Sequence, residues 1–252
     1  MSNFIFDVDG TLRNFELEPD IDPNLYECLS KLNVKNHLYV VTGRSYNNFQ
    51  IFLNEFKDVS GDQSDVGNLF DAIFCEDGHV CYKSDGSDCL VGNIELRQLQ
   101  KVRSYIRQNV ERPPDGYFLS YPEDHLMGEI TVVIQEEASA LSFRQYLEDF
   151  ISKNNLNKLV IRNLTHNRLS IGIKGVGKKS AIDFYNLDLA DSYYFCDEEN
   201  DVDLAKSVID RGGKIVCPSN AIPEIKDIAY FTSEKPYSYG VVDFLSTHSR
   251  LF

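Results

Sequence analysis

The sequence contains no tryptophan, so its large rings are 14 tyrosines and 16 phenylalanines, and any core must be built around those. No apolar run approaches the ~20 residues that cross a bilayer, so no membrane-spanning role is expected. It has no Cys-x-x-Cys pair. The six cysteines, Cys28, Cys75, Cys81, Cys89, Cys196 and Cys217, are scattered, several of them beside apolar residues. That excludes the common zinc and redox spacings and reads as buried free thiols. Basic residues are also scarce, with 25 Lys and Arg against 39 Asp and Glu, a net charge of -14 and a pI near 4.7. Without a basic run there is no electrostatic footprint for nucleic acid. The first residues lack a basic segment followed by an apolar stretch and a cleavage site. Reduced thiols suit the cytosol, so a cytoplasmic protein is expected, and the sequon Asn163-Leu164-Thr165 carries no meaning there. There is no internal repeat and no low-complexity segment.

What remains is the composition of an ordinary folded soluble protein, 42% hydrophobic and 25% charged. Its 252 residues allow one large domain, or a core domain carrying a smaller one. An acidic chain that handles a phosphate must neutralise it locally, with a bound cation and a few well-placed Lys or Arg residues.

Phe4-Ile5-Phe6-Asp7-Val8 is a short apolar run that ends in Asp, Gly and Thr, the pattern of a buried strand meeting a loop. A helix is predicted over 23–33, with Leu25, Leu29 and Leu32 on one face, then a buried strand at His37 to Val41 stopped by Thr42-Gly43-Arg44. A helix from about Ser45 and a strand at Ala72 to Cys75 follow. Alternating strand and helix is the pattern of an open parallel sheet, and such sheets bind ligands beyond the carboxyl ends of their strands. The pattern then changes to helix (94–111), strands (117–121, 129–135), helix (138–153) and strands (158–162, 168–173). Alternation resumes after Lys178, with strands at Tyr193 to Cys196 and Lys214 to Cys217 around a helix over 201–211. The expected fold class is therefore α/β. Residues 1–82 and 174–252 form one discontinuous parallel-sheet core, and residues 83–173 form an inserted α+β domain.

Asp7 and Asp9 flank one residue beyond a strand end, so both carboxylates can face one site. Asp197, Glu198, Asn200, Asp201 and Asp203 lie at the tip of a later strand and can supply further ligands. Such acids make a hard-cation site, and Mg2+ favours one or two carboxylates together with water and substrate phosphate. One carboxylate can attack phosphorus, and a second can protonate the leaving oxygen and then activate water. Thr42 with the N–H groups that follow it, and one of Lys174, Lys178 or Lys179, can surround the transferring oxygens. The plainer readings are that the lysines begin a solvated helix and that the acid run is a solvated helix start favoured by the dipole. Asp197 directly after an apolar strand speaks against the second.

Asp7-Val8-Asp9-Gly10-Thr11, Thr42-Gly43-Arg44-Ser45, Lys174-Gly175-Val176-Gly177-Lys178-Lys179-Ser180-Ala181 and Asp197-Glu198-Glu199-Asn200-Asp201 resemble the four ordered motifs of the haloacid dehalogenase superfamily. The position of the insertion resembles its Cof-like, sugar-phosphate phosphatase branch, which carries a large α+β cap. The tail, Pro218-Ser219-Asn220-Ala221 onward, is also similar. The resemblance implies a Rossmann-like core and a Mg2+ cofactor. It implies Asp7 as nucleophile and metal ligand, and Asp9 as general acid/base lending its carbonyl to the metal. It further implies Thr42, Gly43 and Lys178 on the phosphate, Asp197 on the metal, and Asp201 and Asn200 in support of metal and phosphate. The chain departs from the family in having Cys196 where Gly is usual, and Lys178-Lys179 where Lys-Gly is usual.

Arg44 can contact substrate or pair with an acid. Glu123, Asp124, His125, His166, Asn167 and Arg168 lie near strand ends of the insertion. Of these, His125 and Arg168 are carried as substrate contacts, although each fits an ordinary polar loop too. His79 reads as a hinge neighbour rather than a ligand. The expected activity is hydrolysis of a small phosphorylated metabolite, a sugar phosphate, through an aspartyl phosphate. The alternatives are a phosphomannomutase-like mutase, hinted at by the segment Ala72-Ile73-Phe74-Cys75-Glu76-Asp77-Gly78, and a non-catalytic phosphometabolite binder. No oligomeric state is assigned.

Overall fold

The computed structural model describes residues 1–14, 20–60, 66–83, 87–90, 96–110, 117–119, 128–134, 137–165 and 168–251. Along the chain its strands are β1 (Asn3–Phe6), β2 (His37–Val41), β3 (Ala72–Cys75), β4 (Val80–Lys83), β5 (Asp88–Leu90), β6 (Tyr117–Leu119), β7 (Ile130–Ile134), β8 (Leu159–Thr165), β9 (Arg168–Ile173), β10 (Tyr193–Phe195), β11 (Lys214–Cys217) and β12 (Phe231–Thr232). The α-helices are α1 (Leu25–Asn33), α2 (Tyr46–Ser60), α3 (Leu96–Val110), α4 (Glu137–Lys153), α5 (Lys178–Tyr185), α6 (Val202–Asp210), α7 (Pro223–Ile228) and α8 (Tyr237–Thr247). The chain divides into two compact units, Met1–Cys89 with Gly177–Phe252, and Leu90–Val176.

The first unit holds a sheet in the order β12-β11-β10-β1-β2-β3-β4-β5. Neighbours from β12 to β3 pair in parallel, and β4 turns back antiparallel along β3. The fold is α/β with a Rossmann-like parallel core. Its central strands are almost wholly apolar because both faces are covered. The parallel register sets Phe4 against Tyr193 and Phe6 against Phe195, with ring centroids 5.0 and 4.6 Å apart. Phe244 of α8 meets Phe195 edge-on at 5.5 Å, so stacked rings form the core on that face. Leu25, Leu29 and Leu32 of α1 are fully buried at the spacing the sequence predicts.

The second unit is a four-stranded sheet, β6-β7-β9-β8, antiparallel throughout. Leu99, Val102 and Ile106 of α3, with Phe143 and Leu147 of α4, share a core with Ile130, Val132, Leu169 and Ile171 of the sheet. The first unit runs to Cys89 because β4 and β5 extend the large sheet. Lys174 to Val176 stay with the second unit. The Lys174 N–H donates to the Lys158 carbonyl at 2.8 Å, and the Arg162 guanidinium donates to the Val176 carbonyl at 2.5 Å.

The chain leaves β1 for β2 on one side and returns much later to β10 on the other. The carboxyl end of β1 is thus the switch point where a ligand crevice opens in open α/β sheets. Asp7, Thr42 and Glu76 directly follow β1, β2 and β3, and Asp197 lies two residues beyond the end of β10. Among the described residues no helix is long and apolar enough to cross a membrane.

Candidate active site

The turn after β1 is tied twice. The Asp7 N–H donates to the Phe195 carbonyl of β10 at 2.9 Å, which continues the ladder. The Val8 carbonyl then accepts from the N–H groups of Thr11, Leu12 and Arg13 at 3.2, 2.8 and 2.9 Å. This winding brings Gly10 to φ +84°, where a Cβ would lie 2.0 Å from Asp197 Oδ2, so only glycine fits. The Thr11 hydroxyl donates to Asp197 Oδ1 at 2.9 Å. Asn220 donates to the Gly10 carbonyl at 2.8 Å and to Asp197 Oδ2 at 3.3 Å, and its own oxygen accepts from the Tyr237 N–H at 2.8 Å.

Asp201 organises the loop beyond β10. One oxygen accepts the N–H groups of Asp197 and Glu198 at 3.3 and 3.2 Å. The other accepts Lys178 Nζ at 2.6 Å and the Tyr194 hydroxyl. Lys178, the first residue of α5, also donates to Asp7 Oδ1 at 2.8 Å. Asp7, Asp197, Asp201 and Lys178 are all buried. The three carboxylates each offer an oxygen within 4.8 Å of the others. Sequence positions 7, 178, 197 and 201 therefore converge on one point at the switch of the sheet.

Burial raises the Asp7 carboxyl well above the usual carboxylate range; Lys178 opposes the rise, and the Asp201 and Asp197 charges reinforce it. Asp197 is pushed up to about 7 by burial first and by the Asp201 charge second. Burial works against the Lys178 ammonium, but Asp201 and Asp7 outweigh it, and its pKa is raised, so it stays charged. With all three acids ionised, one ammonium leaves an excess of two negative charges, and this crowding adds to burial in raising Asp7 and Asp197. An all-oxygen donor set with that excess fits a hard divalent cation, which Asp7 and Asp197 would hold with support from Asp201.

The second loop is arranged differently. Thr42 is buried. Its N–H donates to the Phe74 carbonyl at 2.8 Å, and its hydroxyl accepts from the Arg44 N–H at 3.2 Å. Arg44 pairs with Asp9 through both carboxylate oxygens, at 2.7 and 2.5 Å, so of the two readings kept for Arg44 the structure displays the acid pair. The Asp9 carboxylate is accordingly turned to Arg44, outside the three-acid group. A Cβ on Gly43 would sit 3.3 Å from Asp77 Oδ1, and Asn200 reaches that same oxygen at 3.5 Å, so Asn200 faces Asp77. Arg168 opens β9. His125, Glu123, Asp124, His166 and Asn167 lie outside the described residues.

Four participants were not singled out from the sequence as site residues. Tyr194 reads as one more ring in an apolar strand, and Asn220 is one polar residue in a tail motif. Glu76 and Asp77 are consecutive non-glycine residues at φ +54° and +52°, which no local pattern announces. That turn aims the Glu76 and Asp77 N–H groups at the carbonyls of Arg44 and Thr42, at 2.8 and 3.0 Å. Gly78 completes it against the start of α5, where a Cβ would lie 2.6 Å from that of Ala181. His79 is fully buried with Nδ1 against the Glu76 carbonyl.

The profile of the haloacid dehalogenase-like hydrolases matches residues 62–245. The chain belongs to that family. Asp7 precedes the matched stretch, but solved structures align along nearly the whole chain. A haloacid dehalogenase-like hydrolase from Bacteroides thetaiotaomicron shares 16% identity over 100% of this chain and 99% of its own, with a TM-score of 0.72. A HAD/COF-like hydrolase from Plasmodium vivax shares 16% identity over 98% of this chain and 94% of its own, with a TM-score of 0.69. A sugar phosphatase of HAD subclass IIB shares 16% identity over 100% of both chains, with a TM-score of 0.67. No curated protein sequence matches the chain.

Proposed function

We propose that the chain is a Mg2+-dependent phosphatase that hydrolyses a small phosphorylated metabolite, a sugar phosphate, through an aspartyl phosphate on Asp7. The observation that carries this reading is the buried group of Asp7, Asp197 and Asp201 with the Lys178 ammonium inserted between two of them. Asp7 is the nucleophile, and Lys178 steadies its carboxylate and the incoming phosphoryl oxygens. Asp9 serves the leaving oxygen and then the attacking water. Thr42 and Gly43, with Asn200 nearby, are assigned to the remaining phosphate oxygens. When bound, the ion offsets the acids' charge and polarises the phosphoryl group. The inserted α+β unit is assigned the choice of leaving group. Sugar phosphates are supported by the subclass IIB relative. The buried cysteines Cys75, Cys81, Cys196 and Cys217, which are not in disulfides, support work in the cytoplasm.

Phosphate release from a panel of phosphorylated metabolites is the direct test. Turnover that is strongest on hexose or pentose phosphates and abolished by chelation is expected. No release from any phosphomonoester, p-nitrophenyl phosphate included, would end the reading.

A stability prediction follows from Asp197. Its folded-state pKa, about 7, lies above the ordinary carboxylate value of 3.8. The folded state therefore holds the proton more tightly, and this stabilisation is complete at low pH and lost as pH rises through about 7. In chelator, the melting temperature should carry a falling component between mildly acidic and neutral pH. At a hundredfold excess over its Kd, Mg2+ should add about 2.7 kcal/mol, or roughly 5–10 °C. That gain should be larger at neutral pH than in mild acid. Equal melting curves with and without Mg2+ at neutral pH would remove the cation from the account.

A further inference from the structure

Asp9 belongs to the same motif as Asp7, yet its carboxylate lies outside the three-acid group and is gripped by Arg44. Nε donates to Oδ2 at 2.7 Å and Nη2 to Oδ1 at 2.5 Å, a two-point fork that fixes both the position and the plane of the carboxylate. Arg44 has little freedom of its own. Its N–H donates to the Thr42 hydroxyl at 3.2 Å, its carbonyl accepts from Glu76 at 2.8 Å, and Nη1 donates to the Asn48 carbonyl at 3.1 Å. The Glu76 contact depends on consecutive left-handed residues, Glu76, Asp77 and Gly78 at φ +54°, +52° and +88°. L-residues rarely adopt that region, so the turn is a strain the fold retains. The Arg44 side chain is 12% exposed, whereas that of Asp9 is 35% exposed. The anchored partner is thus the arginine, and the partner open to solvent is the acid.

We propose that Arg44 is a positioning residue for Asp9: it orients the carboxyl group that serves the leaving oxygen and the attacking water, and it does not read the substrate. The inference rests on the phosphatase reading above. In the first step an Asp7 oxygen bonds to phosphorus, the bond from phosphorus to the leaving oxygen breaks, and the Asp9 proton passes to that oxygen. In the second, water oxygen bonds to phosphorus, the bond from the Asp7 oxygen to phosphorus breaks, and a water proton passes to Asp9. Only the second step needs Asp9 when the leaving group is p-nitrophenolate, which departs without a proton.

The test is rapid-quench labelling of the Mg2+-loaded enzyme with radiolabelled p-nitrophenyl phosphate. For Arg44→Ala, kcat should fall by roughly 10- to 100-fold with KM within about threefold of wild type, since misplacing a catalytic group by an ångström costs on that order. Label should accumulate on Asp7 towards one equivalent, with a matching burst of p-nitrophenolate. Millimolar guanidinium should restore part of kcat. In an Asp9→Asn background, Arg44→Ala should add no further loss. A KM rise of tenfold or more without trapped label would make Arg44 a substrate contact and overturn the proposal. A kcat loss with neither trapped label nor guanidinium rescue would reduce it to a fold residue and overturn it too. Should Arg44→Ala not fold, Arg44→Lys, which keeps the charge without the fork, decides by the same labelling: trapped label supports the proposal and none refutes it. Turnover by wild type with no label at any time would overturn the functional reading, and this inference with it.

Discussion

Asp7→Asn is expected to lower Mg2+-dependent phosphate release by roughly 10^4-fold or more, as removal of a nucleophile does in enzymes that work through a covalent intermediate. The amide keeps the size of the side chain, and its oxygen can still accept the Lys178 bond that spans 2.8 Å in the native chain. The fold should therefore survive. Because burial holds the Asp7 carboxyl in an unfavourable setting, the metal-free variant should melt no lower than wild type, and its gain from Mg2+ should shrink. Paired assays of turnover and melting separate lost chemistry from lost structure. Activity within tenfold of wild type would transfer the nucleophile's role elsewhere.

Lys178→Met should have the largest effect on stability. The native ammonium is buried between Asp7 and Asp201, and the thioether replaces its volume without its charge. Breaking a buried ion pair from one side costs about 3–5 kcal/mol because the other charge is stranded. For a chain of this size that is roughly 10 °C in melting temperature. Two features mark the cause as stranded carboxylates rather than poor packing. The deficit should narrow in mild acid, where Asp7, whose carboxyl burial holds well above the usual range, takes up a proton. It should also narrow with added Mg2+, which replaces the missing positive charge. Turnover should fall by about 10^2- to 10^3-fold even where the variant is folded, the usual loss when one donor to a developing oxyanion is removed. A melting temperature in chelator at neutral pH equal to that of wild type would contradict the buried pair.

The residues legible in the sequence are those whose neighbours carry a local signal. Asp7 and Asp197 each follow an apolar strand, and Lys178 and Asp201 open the helices that come after. Strand ends on one edge of a parallel sheet must meet, so Asp7 and the acid run from Asp197 could be gathered before any coordinates, whereas Lys178 among three lysines and Asp201 among the acids were singled out by the family resemblance. The pairing of Arg44 with Asp9 was open because a guanidinium beside a loop can face substrate or acid; in the structure it meets Asp9, with Nη1 held on the Asn48 carbonyl. Tyr194 was hidden by its apolar neighbours, and Asn220 by a tail whose helices α7 and α8 the hydropathy pattern does not mark out. The last two strands of the sheet, β4 and β5, were missed because Cys81-Tyr82-Lys83 runs into polar residues too soon to read as a strand. They move the end of the first unit to Cys89.

A crystal structure of the chain grown with Mg2+ and beryllium fluoride, a mimic of a phosphoryl group on a carboxylate, addresses the convergence of these side chains most directly. The fluoride complex should be bonded to an Asp7 oxygen, with the ion touching Asp7 and Asp197 and with Lys178 on the fluorines. A complex bound at any other side chain, or an ion that leaves the Asp7–Asp197–Asp201 group empty, would contradict phosphoryl transfer at this site.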